Sequence, residues 1–210
     1  MIRKPTLLIF GAGASAEYDF PVGRYLLLQI VIELRQRDRL HHDMRQCGFN
    51  DGLITEFCRE LNDSNLPSVD AFLEQHKDNA DYERLGKATI AASLIRCEDK
   101  PIFSDRRQLK LYEYIWHHAS AKPDKYAGNA LSVLTFNYDR SFEEFLRRSL
   151  SASHPEFRNR GREFQAAVSS FPVQHLYGSL GSLSDPHSHL EFGGGSDHPA
   201  LPPTILAAAD

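Results

Sequence analysis

Cysteine is scarce in this 210-residue chain, long hydrophobic runs are missing, and neither sign of charge prevails. The three cysteines, Cys47, Cys58 and Cys97, are odd in number and lack paired spacing. That excludes a disulfide framework and a zinc ribbon, and they read as reduced packing residues of an intracellular protein. The N-terminal apolar run is too short for a signal peptide, and no stretch spans a bilayer, so a soluble cytoplasmic protein is expected. A net charge of −4 leaves no general nucleic-acid footprint. Repeats and low-complexity tracts are also missing. What remains, 41% hydrophobic residues, suffices for one domain with a sizeable core over residues 1–210.

Three short apolar or β-branched segments, Thr6–Phe10, Leu131–Phe136 and Pro172–Tyr177, read as buried parallel strands. Val168 and its neighbours suggest a weaker fourth. Between the first two strands the periodicity is helical. Pro21 fits a first helical position, and Leu26, Leu27, Ile30, Val31 and Leu34 follow on one face. Leu53, Ile54, Phe57, Cys58 and Leu61 repeat that pattern, and Ser68 can cap a helix turning Val69, Phe72 and Leu73 inward. Further helices are expected around Leu85, Ala88, Ala92 and Ile95, around Leu109, Tyr112, Ile115 and Trp116, and around Phe142, Phe145, Leu146 and Leu150. The expected fold is α/β, a Rossmann-like parallel sheet with helices on both faces and a helical insertion between the first two strands. Residues 184–203 look like a loop, and Thr204–Ala209 like the start of a helix.

Ligands of open parallel sheets bind outside the carboxyl ends of the strands. The first strand ends in Gly11-Ala12-Gly13-Ala14-Ser15. Its glycines permit positive φ and close approach of a ligand to the main chain, and N–H groups at a following helix start suit phosphate oxygens. Gly11-x-Gly13-x-x-Ala16 also meets the dehydrogenase dinucleotide fingerprint, and Glu33 lies near the ~20-residue distance of its ribose-binding acid. However, the next strand comes about a hundred residues later, far beyond the ~30-residue βαβ unit of that motif. The dehydrogenase reading loses on that ground. The other two strands end in Thr135-Phe136-Asn137-Tyr138-Asp139 and His175-Leu176-Tyr177-Gly178-Ser179.

Taken together, Gly11-Ala12-Gly13-Ala14-Ser15, Asp19-Phe20-Pro21-Val22-Gly23-Arg24, Thr135-Phe136-Asn137-Tyr138-Asp139 and Tyr177-Gly178-Ser179 resemble the sirtuin-like family. The likeness is to its divergent bacterial branch linked to antiphage defence, and the Ser68–Leu73 segment resembles a helix start of that branch. The resemblance covers residues 6 to about 183. It implies NAD binding and cleavage of the nicotinamide–ribose bond, by water in the defence branch. It further implies that Asn137 orients ribose and water, and that Asp139 holds the nicotinamide carboxamide. The glycine turn with Ser15, Pro21 and Arg24 would cradle the cofactor beside Thr135, Gly178 and Ser179. No metal is implied, since the deacylases' zinc ribbon is lacking. Partners would be NAD or ADP-ribose, a homo-oligomer or a further sensor domain. A catalytically inactive NAD- or ADP-ribose-binding or interaction module is the alternative.

Two departures bear on activity. The family's histidine base falls on Tyr177, and tyrosine, with a pKa near ~10, is a poor base at neutral pH. His175, two residues earlier in a strand, would face the same side, so His175 and Tyr177 are expected to share the role, or His175 to be a satisfied core residue. Sirtuins also continue into strands that grip the adenosine half of NAD, whereas only 31 residues follow Ser179 here. A truncated chain or an incomplete adenosine site is expected.

Other signals carry bland readings. The pairs His41-His42 and His117-His118 read as helix surface. His187, His189 and His198 fall in the loop, and Glu143-Glu144 reads as a solvated helix face. Arg147-Arg148 and Arg158–Arg162 form a local basic patch, and Trp116 reads as core. Asn137 and Asp139 could merely cap the helix after them.

Overall fold

The computed structural model describes residues 1–98, 103, 110–119, 123–155, 161–181, 183, 192 and 193. The element order is β1 (Thr6–Phe10), α1 (Gly13–Ala16), α2 (Gly23–Gln36), α3 (Arg39–Gln46), α4 (Asp51–Asp63), α5 (Val69–Gln75) and α6 (Ala80–Cys97). Then follow α7 (Leu111–Ala119), a 3-10 turn at Pro123–Gly128, β2 (Leu131–Thr135), α8 (Ser141–Ser153), α9 (Gly161–Ser169) and β3 (Val173–His175). The fold is mixed α/β, and the chain divides into two compact units. One holds Met1–Asp19 and Lys100–Ser188, the other Phe20–Asp99 and His189–Asp210.

The first unit carries a three-stranded parallel sheet in the order β1-β2-β3. Phe10 pairs with Thr135, and Thr135 with His175, so the three carboxyl ends finish level with one another. That register brings three loops distant in sequence to one edge of the sheet. One face, through Phe10, Leu131 and Val133, is buried. Phe10 meets Phe142 of α8 edge-on at 5.2 Å between centroids, and Tyr112 of α7 stacks on Tyr18 at 4.2 Å. On the other face Leu7 and Ile9 are exposed.

The expected strand at Pro172–Tyr177 is shorter than its apolar pattern, because the chain bends at Leu176. The weaker strand expected near Val168 is instead α9. Ala167 is buried and Val168 half-buried on it, so a β-branched residue has served a helical face. Trp116 is half-buried and stacks on Tyr126 at 5.8 Å. Leu109, Arg158, His187, His189, His198, Thr204–Ala209, and all of 184–203 except Phe192 and Gly193, lie outside the described residues.

The second unit is helical. On α2 the buried residues are Leu26, Leu27, Ile30, Val31 and Leu34, the face that periodicity marks out. The helix begins at Gly23 with Val22 as its N-cap, two residues later than Pro21 suggests. Asn50 caps α4 by accepting from Leu53 N at 2.9 Å, and Ser68 caps α5 by accepting from Ala71 N at 3.2 Å. Glu33 bonds Arg96 at 2.7 Å, and Arg96 also bonds Asp43, so Glu33 serves a buried ion-pair network of this unit. His41, expected on the surface, is buried, with Nε2 3.3 Å from Asp51. His42 is exposed and bonds Gln46.

Phe57 is the centre of this unit, fully buried and edge-on to both Phe72 and Tyr82 at 5.5 Å. Phe57→Ala removes a ring that its neighbours cannot collapse to fill. The expected loss is about 3–5 kcal/mol, read from the urea midpoint at unchanged m-value.

Candidate functional site

The level strand ends assemble one hydrogen-bonded cluster. Ser15 Oγ donates to Asp139 Oδ2 at 2.8 Å, across 124 residues of chain. Asn137 Nδ2 donates to Ser15 Oγ and to the Gly11 carbonyl, both at 3.0 Å. Both amide hydrogens of Asn137 are therefore engaged, and among the described residues Oδ1 is left as its open acceptor. Its own N–H is held by Thr135 Oγ1 at 3.0 Å. Two more main-chain bonds tie the corner, Phe136 N to Phe10 O at 3.0 Å and Leu176 N to Thr135 O at 2.9 Å.

Asp139 is buried, 7% exposed. Besides Ser15 it accepts from Ser141 N at 3.1 Å and from Ser141 Oγ. With its single proton directed at Asp139, Ser141 Oγ accepts from the Tyr112 hydroxyl at 2.8 Å. Burial pushes the Asp139 carboxyl above its usual range, against the pull of its serine donors. The helix-start role suggested by sequence is real, since Asp139 bonds the amide opening α8, yet the same carboxylate also anchors the glycine turn. This occupation differs from the nicotinamide contact that the family resemblance implies.

Gly11, Ala12 and Gly13 are exposed, and neither glycine adopts positive φ, contrary to expectation. Ala12 is helical at φ −54°, and Ala14 N returns to Gly11 O at 2.8 Å, so the turn winds directly into α1. A Cβ on either would meet nothing within 4 Å, so packing within the chain does not require glycine at these positions. Helix α1 has four residues, too few for an appreciable dipole at its start. Gly178 does take positive φ, +95°, where any side chain is strained. Ser179 donates weakly to Gly181 O at 3.5 Å.

Of the two base candidates, His175 joins the cluster and Tyr177 does not. His175 Nδ1 donates to the Asn137 carbonyl and Nε2 meets Glu143 Oε1, both at 2.7 Å. Burial opposes its charge, but Glu143, the Asn137 carbonyl and the Asp139 charge outweigh it, and the imidazole titrates above its ordinary value. Strand alternation ends at His175, so Tyr177 turns outward, 68% exposed, with its ring 5.8 Å from Phe136. No hydrogen bond joins it to His175, whose two nitrogens are both taken.

Glu143 was not legible as part of a site, and the pair Glu143-Glu144 is not a solvated face. Glu144 is buried, gripped by Arg147 at 2.6 and 2.8 Å and by Arg148 at 2.6 Å, which hold its carboxyl below the usual range despite burial. Arg147 and Arg148 of the expected basic patch thus chelate Glu144, while Arg158, Arg160 and the Arg162 side chain lie outside the described residues. Beside His175 lies a cavity of ≈ 370 Å³ between α8, α9 and the outer edge of β3. Glu143, Arg147, Phe164, Val173, His175 and Ser179 are among its walls, whereas Asn137 and the glycine turn are not.

Pro21 and Arg24 belong to the second unit. Pro21 precedes α2, and the exposed Arg24 guanidinium donates to Leu66 O at 3.0 Å. Among the described residues no group of three His, Cys, Asp or Glu could hold a metal ion, and no helix is long and apolar enough to cross a membrane.

No family model, curated protein or solved structure matches the chain.

The Ser15–Asp139 bond supplies a stability prediction. Because the folded Asp139 binds its proton more tightly than the unfolded residue, its contribution is full below the unfolded value and is lost as pH rises through the folded one. Ser15→Ala removes a donor to the carboxylate and an acceptor from Asn137. It should cost about 1–3 kcal/mol. The deficit should be larger at neutral than at acid pH, as checked by denaturant melts at several pH values.

Proposed function

We propose that the level strand ends form an NAD site, and that the protein is an NAD hydrolase of sirtuin-like type on a Rossmann-like α/β scaffold. The observation that carries this reading is the Asn137 carboxamide, locked by Gly11 and Ser15 with its oxygen left open beside an unobstructed glycine turn. Cleavage of the nicotinamide–ribose bond passes through an oxocarbenium-like state. Its needs are an acceptor for the attacking water or a ribose hydroxyl, held so that no reorganisation is required as charge develops. A carboxamide oxygen with both N–H groups already bonded meets that need. Water adds to the ribose carbon, nicotinamide leaves with the bonding pair, and the water's proton passes to solvent. The exposed Gly11–Gly13 main chain would receive the pyrophosphate, with Ser15 and Asp139 keeping the turn rigid. In this reading an antiphage role is inherited from the resemblance alone.

A second reading, binding of NAD or ADP-ribose without turnover, is favoured by one specific observation. Neither nitrogen of His175 is open to accept a proton from water, and Tyr177 is turned away.

Nicotinamide release from NAD and NAD binding by calorimetry, measured on the same preparations, separate the two. On the hydrolase reading the wild type releases nicotinamide, and Asn137→Ala lowers kcat by about 100- to 1000-fold. Binding without release, with turnover appearing only in Tyr177→His, establishes the binding module. Neither binding nor release in any variant rejects both readings.

A further inference from the structure

The pairing of His175 with Glu143 is unaccounted for by anything above. Glu143 sits in the first turn of α8, two residues after the Ser141 that holds Asp139. Its carboxylate reaches the edge strand and bonds the imidazole Nε2, while the opposite nitrogen bonds the carbonyl of Asn137. A carbonyl oxygen only accepts, so Nδ1 carries a proton. An ionised carboxylate also only accepts, so Nε2 carries one too. The ring is then a doubly donating bridge between a helix and the residue whose side chain faces the glycine turn.

We propose that Glu143 is a positioning residue, whose carboxylate, through His175, holds the Asn137 main chain so that the Asn137 carboxamide stays aimed at Gly11 and Ser15. As a statement about catalysis this rests on the hydrolase reading of Asn137; as a statement about geometry it stands apart from it. Asn137 is otherwise fixed from one side by Thr135 Oγ1 on its N–H and by its own side-chain bonds. Its carbonyl points the other way, toward β3, and the imidazole supplies the bond there. Remove the charge on the ring and one of its two hydrogen bonds must go, since a neutral imidazole donates from a single nitrogen. Among the described residues the groups that bear on the charge are these. Glu143 on α8 and Asp139 ahead of it favour it, Arg147 on α8 lines the same cavity, and the α9 wall contributes Phe164, Val168 and Ser169, none of them ionisable.

The test is the titration of the His175 ring followed by NMR in the full chain, together with the Asn137 side-chain amide resonances. In the wild type the His175 midpoint should lie above the ordinary histidine value, and the Asn137 amide signals should move with it. In Glu143→Gln, which keeps size and hydrogen bonding but not charge, the midpoint should move to lower pH. His175→Gln should displace the same Asn137 signals at every pH. In the nicotinamide assay, release should decline on the alkaline side as His175 deprotonates, and Glu143→Gln should shift that decline toward acid. The variant's kcat should fall roughly 10- to 100-fold with KM little changed. An unchanged His175 midpoint in Glu143→Gln, or Asn137 signals indifferent to both variants, overturns the proposal. If the wild type releases no nicotinamide, the hydrolase reading fails while the NMR titration still decides the role of Glu143.

Discussion

One buried carboxylate sets the geometry of the strand ends. An ionised carboxyl out of water is costly unless its lone pairs are filled, and Asp139 offsets part of that cost with three donors from two separate parts of the chain. Ser15 brings the turn after β1 and Ser141 the first turn of α8, while Tyr112 of α7 supports Ser141 from behind. Because each donor is fixed by its own element, the carboxylate cannot move without dragging a helix start or the glycine turn. Asn137, two residues earlier, inherits that rigidity, and its side chain closes the ring through Ser15. The chain of hydrogen bonds from Asn137 to Ser15 to Asp139 runs in one direction, each hydroxyl accepting from one neighbour and donating to the next, so the members reinforce one another.

How much of this could be read beforehand divides along physical lines. Elements with a strong period were legible. The inward faces of α2, α4 and α5 follow from apolar spacing, and the cap Ser68 is a residue type chosen by chemistry local to the helix start. The three strand ends were legible too, because each joins a short apolar or β-branched run to residues that packing alone does not require, although Leu7 and Ile9 of the first run are exposed, against the expectation of a buried strand. What lay beyond reach was the partner of each polar side chain. Glu143 next to Glu144 has the pattern of a wet helix face, and only the level register of β2 and β3 reveals that one of the two faces an imidazole. The helix α9 was hidden because Val168 and its neighbours carry a β-branched signal that tertiary packing overrode.

The glycine turn illustrates how a motif can be right in place and different in cause. Positive φ is the usual reason for glycine in a tight turn, and Gly178 obeys it. Gly11 and Gly13 do not, since the backbone winds from β1 straight into α1 with ordinary helical angles at Ala12. Neither backbone angle nor packing within the chain asks for glycine there. On the proposed reading the open space serves a ligand approaching the main chain.

Electrostatics links that space to the bridge behind it. On the proposed NAD reading, a cationic imidazole close to the Asn137 carbonyl would, alone, oppose a positively charged nicotinamide and a ribose gaining positive charge. Glu143 at 2.7 Å opposes that field while its hydrogen bond favours the charged ring. A hydrogen-bond bridge of an imidazolium and a carboxylate can hold Asn137 in place, and on the proposed reading it would not repel a cationic substrate. A neutral histidine could supply only one of the two bonds, and a lysine would present its ammonium as a single point charge lacking the ring's two opposed donors.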